Sequence, residues 1–380
     1  MQAGSMMDAG RPSARRKQTA RWTQAWADRQ TNKPTSNMTT DAMKAQRDHY
    51  LDNLKVFLTI LVIFHHAGQA YGDGGAWAYT PSNPAETMPW IWHFFSTNAA
   101  FFMGLYFFIS GYFVPLSYDR QGFGQFVGRK LLRLGVPLVA MGCLLSLMCG
   151  KFEIAHMWFV ESLLLFCILY ALWRLVAGRA SAGSPQEPSL AMMVAVAAVM
   201  GCGSYMIRTV SQQDHWIGLC GLVLEPAHYL QYVMMFVMGT VASRKEWLTR
   251  MGDRTGAVAL TVGVALAVGN YMRDGGPWDA FVWRWFGIYE SFMCVSISFG
   301  LLWLFRQKAN MTSSVCRWMA GQSYGAYILH LPLMIVFQNM VDGIWIGAFG
   351  KFMLVGTVVT AISYAMTWLL RMIPGAKRIL

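Results

Sequence analysis

Apolar runs of about 20 residues recur along most of this chain, each long enough to cross the hydrocarbon core of a bilayer. They fall at roughly 54–71, 92–116, 131–149, 157–177, 190–207, 227–243, 256–272, 286–306, 320–340 and 347–371. Backbone polar groups in lipid must bond within their own segment, so such runs read as helices. Composition agrees: 55% of the 380 residues are hydrophobic and 13% are charged, against roughly 25% charged in soluble globular proteins. The 16 tryptophans suit a chain with two membrane–water interfaces to anchor. The pattern predicts an all-α fold, a polytopic membrane helix bundle of about ten transmembrane helices in one domain, residues 49–380. Two spans are polar for their setting: Glu225 and His228 crowd the sixth, and Glu290 interrupts the eighth.

Charge placement sets the orientation. Of the 31 Lys and Arg residues, 26 fall on the side of the termini and 5 on the other, namely Lys151, Arg208, Arg273, Arg284 and Lys351. The positive-inside rule then puts both termini in the cytoplasm of a cell (inner) membrane protein. The formal charge of +12 is thus the footprint of topology and anionic lipid. The bilayer is the expected partner, and nucleic acid is not. Seven cysteines, an odd number lying mostly inside apolar runs with no C-x-x-C spacing, read as small core residues. No disulfide framework and no metal site are expected from them. Residues 1–48 are polar, carry Arg15-Arg16-Lys17 and lack an apolar central run. They read as a disordered cytoplasmic tail rather than a cleavable signal peptide. No internal repeat is visible, which weighs against an inverted-repeat transporter. Intramembrane Lys, Glu and His nevertheless keep a multi-pass transporter of a small polar or anionic solute as the rival reading.

With this topology, His65, His66, His93, His156, His215 and His228 all fall near the external ends of spans, and His330 lies mid-membrane. Ionisable groups there tend to face the bundle interior or a wet cavity, so they suggest a polar external vestibule; the plainer reading is local hydrogen bonding at an interface. His66 stands apart. At about 100° per residue, the eleven steps from Lys55 to His66 leave the two within about 20° of each other and about 16 Å apart along the axis. Asp52, Thr59 and Gln69 fall in the same arc, making one polar stripe down an otherwise apolar helix. His65 points roughly 80° away from Lys55, which favours His66 as the functional imidazole. A histidine with an ordinary pKa near 6.5 takes a proton from a hydroxyl at neutral pH and later releases it. Lys55, at the cytoplasmic end, is better placed to meet a phosphate or carboxylate than to act in the chemistry.

Asp52-Asn53-Leu54-Lys55 followed by His66 resembles the Arg/Lys-x10-His motif of the acyltransferase-3 family of membrane proteins. The run Phe101 to Phe113 (FFMGLYFFISGYF) is similar to that family's Phe-Phe-x-x-Ser-Gly-Phe element, and a basic segment, Arg129-Lys130-Leu131-Leu132-Arg133, follows it. His156 to Phe166, Ser323 to His330 and the ending Arg371 to Leu380 also look like family elements, so the likeness runs from about Tyr50 onward. The resemblance implies transfer of an acyl group (acetyl, succinyl or similar) from cytoplasmic acyl-coenzyme A to a hydroxyl of an extracytoplasmic carbohydrate or glycan. It carries His66 over as catalytic base and Lys55 as its motif partner. Arg129, Lys130 and Arg133 would contact the donor, and Ser110 would line its channel. The family often has Arg where this chain has Lys55, which removes a bidentate fork. Loosely, the branch with glucan-modifying succinyltransferases is the most similar.

Other positions carry two readings each. Glu161 either orients His66 or ties two helices together. Arg129 and Arg133, four apart on one face, either clamp coenzyme A phosphates or anchor the segment at the interface. Ser110-Gly111 either serves the donor or permits close helix approach. Ser323, Tyr327 and His330 share a helix face with Tyr324 beside them, lining either an acyl or acceptor path or an interhelical contact; Thr59 joins them from the first helix. Trp77, Trp90 and Trp92 either stack on sugar rings or anchor the interface.

Overall fold

With no water to receive their polar groups, apolar segments in lipid close their own hydrogen bonds, and the described chain is accordingly almost all helix. The computed structural model describes residues 49–72, 78–150, 154–178, 183–211, 213, 215–219 and 222–380. The tail 1–48, Trp77, Lys151 and Cys220 lie outside these residues. Each of the ten apolar runs is helical to within a few residues. The order is α1 (His49–Gln69), α2 (Ile91–Lys130), a π turn (Leu131–Gly135), α3 (Val136–Cys149), α4 (Trp158–Ala177) and α5 (Leu190–Arg208). A hairpin of β1 (Ile217–Leu219) and β2 (Leu222–Leu224) precedes α6 (Pro226–Arg244). Then come α7 (Trp247–Arg250), α8 (Asp253–Tyr271), α9 (Pro277–Arg284), α10 (Phe286–Lys308), α11 (Ser314–Val341) and α12 (Gly347–Leu370).

Among the described residues, seven helices are long and apolar enough to cross a membrane. The difference from ten runs has two physical sources. Helices α6 and α8 are diluted by residues such as His228, Gln231, Gly256 and Asn270, and do not reach that apolarity. The run Ile91–Cys149 is a single helical stretch with a reversal inside it. Its first limb descends beside α1: the Phe102 ring lies 5.0 Å from His65, and the Phe113 ring 4.8 Å from the Lys55 amine. Arg133 then meets Tyr324, while Leu145 and Cys149 line the same cavity as Phe102. The chain has therefore turned back, and it bends at Gly122 (φ 70°, ψ 175°), a backbone conformation that a side chain would strain.

The first and last helices meet at one end of the bundle. Asn53 Nδ2 donates to the Ala309 carbonyl at 2.6 Å, just before α11 begins, and Arg371 after α12 reaches Gln322 near the start of α11. The outer surface is apolar: Leu147, Val176, Val199 and Val264 stay exposed in the middle or last turns of their helices, as lipid-facing residues do. At the other extreme, α2 and α6 cross at backbone distance. A Cβ on Gly111 would overlap the Phe236 carbonyl, and one on Gly239 the Phe108 carbonyl. Here the expectation of close helix approach at Ser110-Gly111 is met by Gly111. Replacing Gly111 with Val should force these helices apart, costing about 1–3 kcal/mol as overpacking does. A lowered unfolding temperature in detergent is the expected readout, and an unchanged one would contradict the crossing.

Polar residues in the weaker spans find one another. Glu225 and Glu290 take the two ring nitrogens of His228, the second at 2.9 Å, and Arg208 closes the network on Glu290. Three of the five basic residues assigned to the external side are likewise paired, Arg208 with Glu290, Arg273 with Asp279 at 2.6 Å, and Lys351 with Glu86 at 2.7 Å. They brace helices and loops rather than making an open positive surface. Beside Lys351, the Ser82 and Tyr79 hydroxyls bond to Asp342 and hold its carboxyl down to about 2, tying the loop after α1 to the α11–α12 connection.

Candidate active site

The stripe on α1 ends beside the proline-containing stretch of α11. Pro332 sits inside α11 and has no N–H, so the Ile328 carbonyl one turn earlier loses its helical partner. His156 occupies it: its Nε2 lies 3.0 Å from the Ile328 oxygen and must carry the proton. The Tyr327 hydroxyl in turn donates to the His156 carbonyl, holding the 3-10 turn Ala155–Met157 against α11. A neutral His156 then keeps its lone pair on Nδ1, which is buried and has no hydrogen-bond partner among the described residues although the ring lines a cavity.

His330 uses the same helix turn. Its Nδ1 donates to the Tyr327 carbonyl at 2.5 Å, so in the neutral ring Nε2 is the acceptor. His66 Nδ1 lies 2.8 Å from that Nε2 and donates to it. This places the basic lone pair of His66 on Nε2. The relay from a backbone carbonyl through His330 therefore selects the tautomer of His66 and fixes its ring, the service a carboxylate performs in many hydrolases. The two rings are stacked with centroids 4.9 Å apart, and His156 lies 4.7 Å from His330 and 6.5 Å from His66.

These imidazoles open onto a cavity of about 980 Å³ whose lining includes His65, His66, Gln69, His156, Tyr327 and Trp158. That volume is at the upper end for small-molecule sites. His65 faces away from the relay, with its ring 5.0 Å from both Phe95 and Phe102. Four nitrogens of the cluster are already committed to carbonyls or to each other. Among the described residues no group of three or more His, Cys, Asp and Glu is disposed to hold a metal ion.

The remaining candidates fall in distinct places. Glu161 does not reach His66: its carboxylate accepts the Val223 N–H of the hairpin at 3.0 Å, so it ties α4 to β2. The side chain that bonds to the His66 ring is His330, which the sequence had suggested only as a lining residue. Thr59 is buried, donating to the Lys55 carbonyl at 2.8 Å and lying 2.6 Å from the Tyr106 hydroxyl. The stripe below His66 is thus closed by protein hydroxyls. Lys55 sits 3.3 Å from Asp52 at its foot. Tyr324 donates to the Arg133 carbonyl at 2.7 Å and stacks under its guanidinium. Arg129 and Arg133 are exposed and Lys130 covers the Phe126 ring, but Arg133 lies in the π turn. The wider π turn breaks the α-helical register in which a four-residue spacing shares a face. Ser110 is half-buried on α2. His156 was not singled out as a site residue; it was legible only as one of the histidines near the external face and as the start of a family-like element.

Comparison with known proteins gives a family. The model of an acyltransferase domain, Acyl_transf_3, matches residues 48–368. Glucans biosynthesis protein C of Escherichia coli (strain K12) is 22% identical over 334 residues, covering 77% of this chain and 83% of the relative. The same protein of strains K12 / DH10B and K12 / MC4100 / BW2952 matches equally. No solved structure gives a significant match.

Proposed function

From the premise that the chain belongs to the acyltransferase-3 family and is a multi-pass membrane acyltransferase, we propose that it moves an acyl group from cytoplasmic acyl-coenzyme A to a carbohydrate hydroxyl outside. The observation that carries this reading is the His66–His330 relay opening onto the cavity. An acceptor hydroxyl enters the cavity and His66 Nε2 removes its proton as the oxygen attacks the thioester carbonyl. The tetrahedral intermediate then collapses, the C–S bond breaks, and the leaving thiolate takes the proton from His66. One ester forms for each thioester consumed. As His66 becomes an imidazolium, its Nδ1–H bond to His330 becomes charge-assisted and strengthens when it is needed.

Ten crossings of a cell (inner) membrane, with both termini cytoplasmic, put Lys55, Arg129, Lys130 and Arg133 on the donor side and the cavity mouth on the other. Coenzyme A carries phosphates, which suit that basic collar, with Ser110 further along the donor path. For the thioester to pass Thr59, Tyr324 and Tyr327 toward His66, the hydroxyl contacts that close the stripe there must open. Arg133→Ala should raise the KM for acyl-coenzyme A several-fold while leaving kcat much less affected; an unchanged KM would return Arg133 to interfacial anchoring. The name of the bacterial relatives supports a glucan as acceptor. The direct test is purified protein given acyl-coenzyme A and a gluco-oligosaccharide, with free thiol and acylated sugar both measured. Free thiol without acylated sugar would sink the carbohydrate part, and no thiol at all would sink acyl transfer.

A further inference from the structure

The cavity has a second wall, away from the imidazoles, to which the chemistry above gives no task. Trp158, Trp216, Glu225, His228 and Tyr232 line it. Trp158 stacks on Tyr232 at 5.1 Å between ring centroids and tilts toward Trp216 at 5.7 Å. Trp216 stays 44% exposed, an indole held open toward the cavity rather than packed away. Behind the indoles lies the Glu225–His228–Glu290–Arg208 network, in which His228 meets a carboxylate at each ring nitrogen. A ring that donates from both nitrogens carries a positive charge. Arg208, 3.1 Å from His228 Nε2, and His228 stand against the two carboxylates, so the wall offers fixed hydrogen-bonding groups whose charges are paired within the network.

Aromatic platforms beside a charge-paired, rigid polar network match one ligand chemistry. An anionic or cationic acceptor would find no compensating charge there, whereas an uncharged polyol presents apolar C–H faces for the indoles and hydroxyls for a carboxylate. The chain also links this wall to the reacting centre. His156 and Trp158 are the two ends of one three-residue step, with His156 facing His66 and His330 and Trp158 facing Tyr232 and Trp216. The buried His156 Nδ1, with no hydrogen-bond partner among the described residues, is an acceptor for a hydroxyl at this step. Resting on the acyl-transfer reading, we propose that Trp158 and Trp216 form the acceptor subsite, where an uncharged pyranose stacks while Glu225 and His156 accept hydrogen bonds from its hydroxyls. A ring seated there has a neighbouring hydroxyl directed at His66, so the stack selects both the sugar and the hydroxyl that reacts.

The test uses the full chain carrying His66→Ala in lipid nanodiscs, so that binding is measured without turnover, with unsubstituted cellopentaose as the probe. Trp216→Ala in that background should weaken binding about tenfold, the scale of one lost aromatic contact. Trp216→Phe should recover part of the loss. Trp158→Phe, which keeps a ring against Tyr232, serves as a second, milder variant with the same direction. Trp345→Ala, at a residue 96% exposed and outside the cavity lining, should bind as the parent does. Equal affinity in the Trp216 and Trp158 variants would overturn the subsite, as would tighter binding of a carboxylated oligosaccharide than of the neutral one. Absence of thioester turnover in the unsubstituted protein is a separate result and bears on the acyl-transfer reading instead.

Discussion

Substitution of His66 by Ala is expected to lower acyl transfer by roughly a hundredfold to ten-thousandfold, the range that a positioned general base supplies. The imidazole is held by a relay and not by the surrounding packing alone: His66 Nδ1 bonds to His330, and His330 Nδ1 bonds to the Tyr327 carbonyl. Removing the ring takes away the lone pair that accepts the hydroxyl proton while leaving α1 anchored by Leu54, Leu58, Val62 and Ile63 in the core. The variant should therefore insert, elute as the parent does and still bind acyl-coenzyme A. His65→Ala supplies the contrast. Its ring sits among Phe95 and Phe102, so its loss should act on stability more than on the chemical step. A His66→Ala protein that retains full transfer would remove the base from the mechanism.

His330→Ala is expected to lower kcat on the order of ten- to a hundredfold with little change in the KM for acyl-coenzyme A, as loss of an orienting partner does elsewhere. On the proposed mechanism His330 is a positioning residue, which acts by holding the proton of His66 on Nδ1. In its absence the ring is free to turn or to take the other tautomer, and only a fraction of molecules present Nε2 as the base. A merely structural role predicts a different pattern, a fall in folded protein with kcat per folded molecule unchanged. His330→Gln discriminates further, because an amide oxygen can still accept from His66 Nδ1–H. Partial rescue by Gln and none by Ala is the expected signature; equal losses in the two would argue against tautomer control.

How much of this could be read from residues alone depends on the range of the interaction. The apolar runs each fell on a helix, because helix formation in lipid is enforced locally by the backbone, although α2 runs on to Lys130 well past the run that ended at 116. The eleven-residue step from Lys55 to His66 is likewise a property of one helix, so the polar stripe was visible. Glu225, His228 and Glu290 looked like flaws in two separate spans, and only packing brought them together with Arg208. The reversal at Gly122 was hidden for a similar reason: its helix is nearly continuous on both sides, and a left-handed glycine leaves no mark in hydropathy.

By itself, then, the sequence determined a helical membrane bundle, the stripe that ends at His66 and a family resemblance, all carried by contacts within one helix or by motif order. Tertiary structure alone decided that the His66 ring bonds to His330 while Glu161 bonds to the hairpin, and that His156 lines the same cavity. Those residues lie far apart in the chain, and the direction of an imidazole follows from which carbonyl a proline leaves open on another helix. Spacing along a sequence carries no such information; it exists only once α1, α4 and α11 have packed.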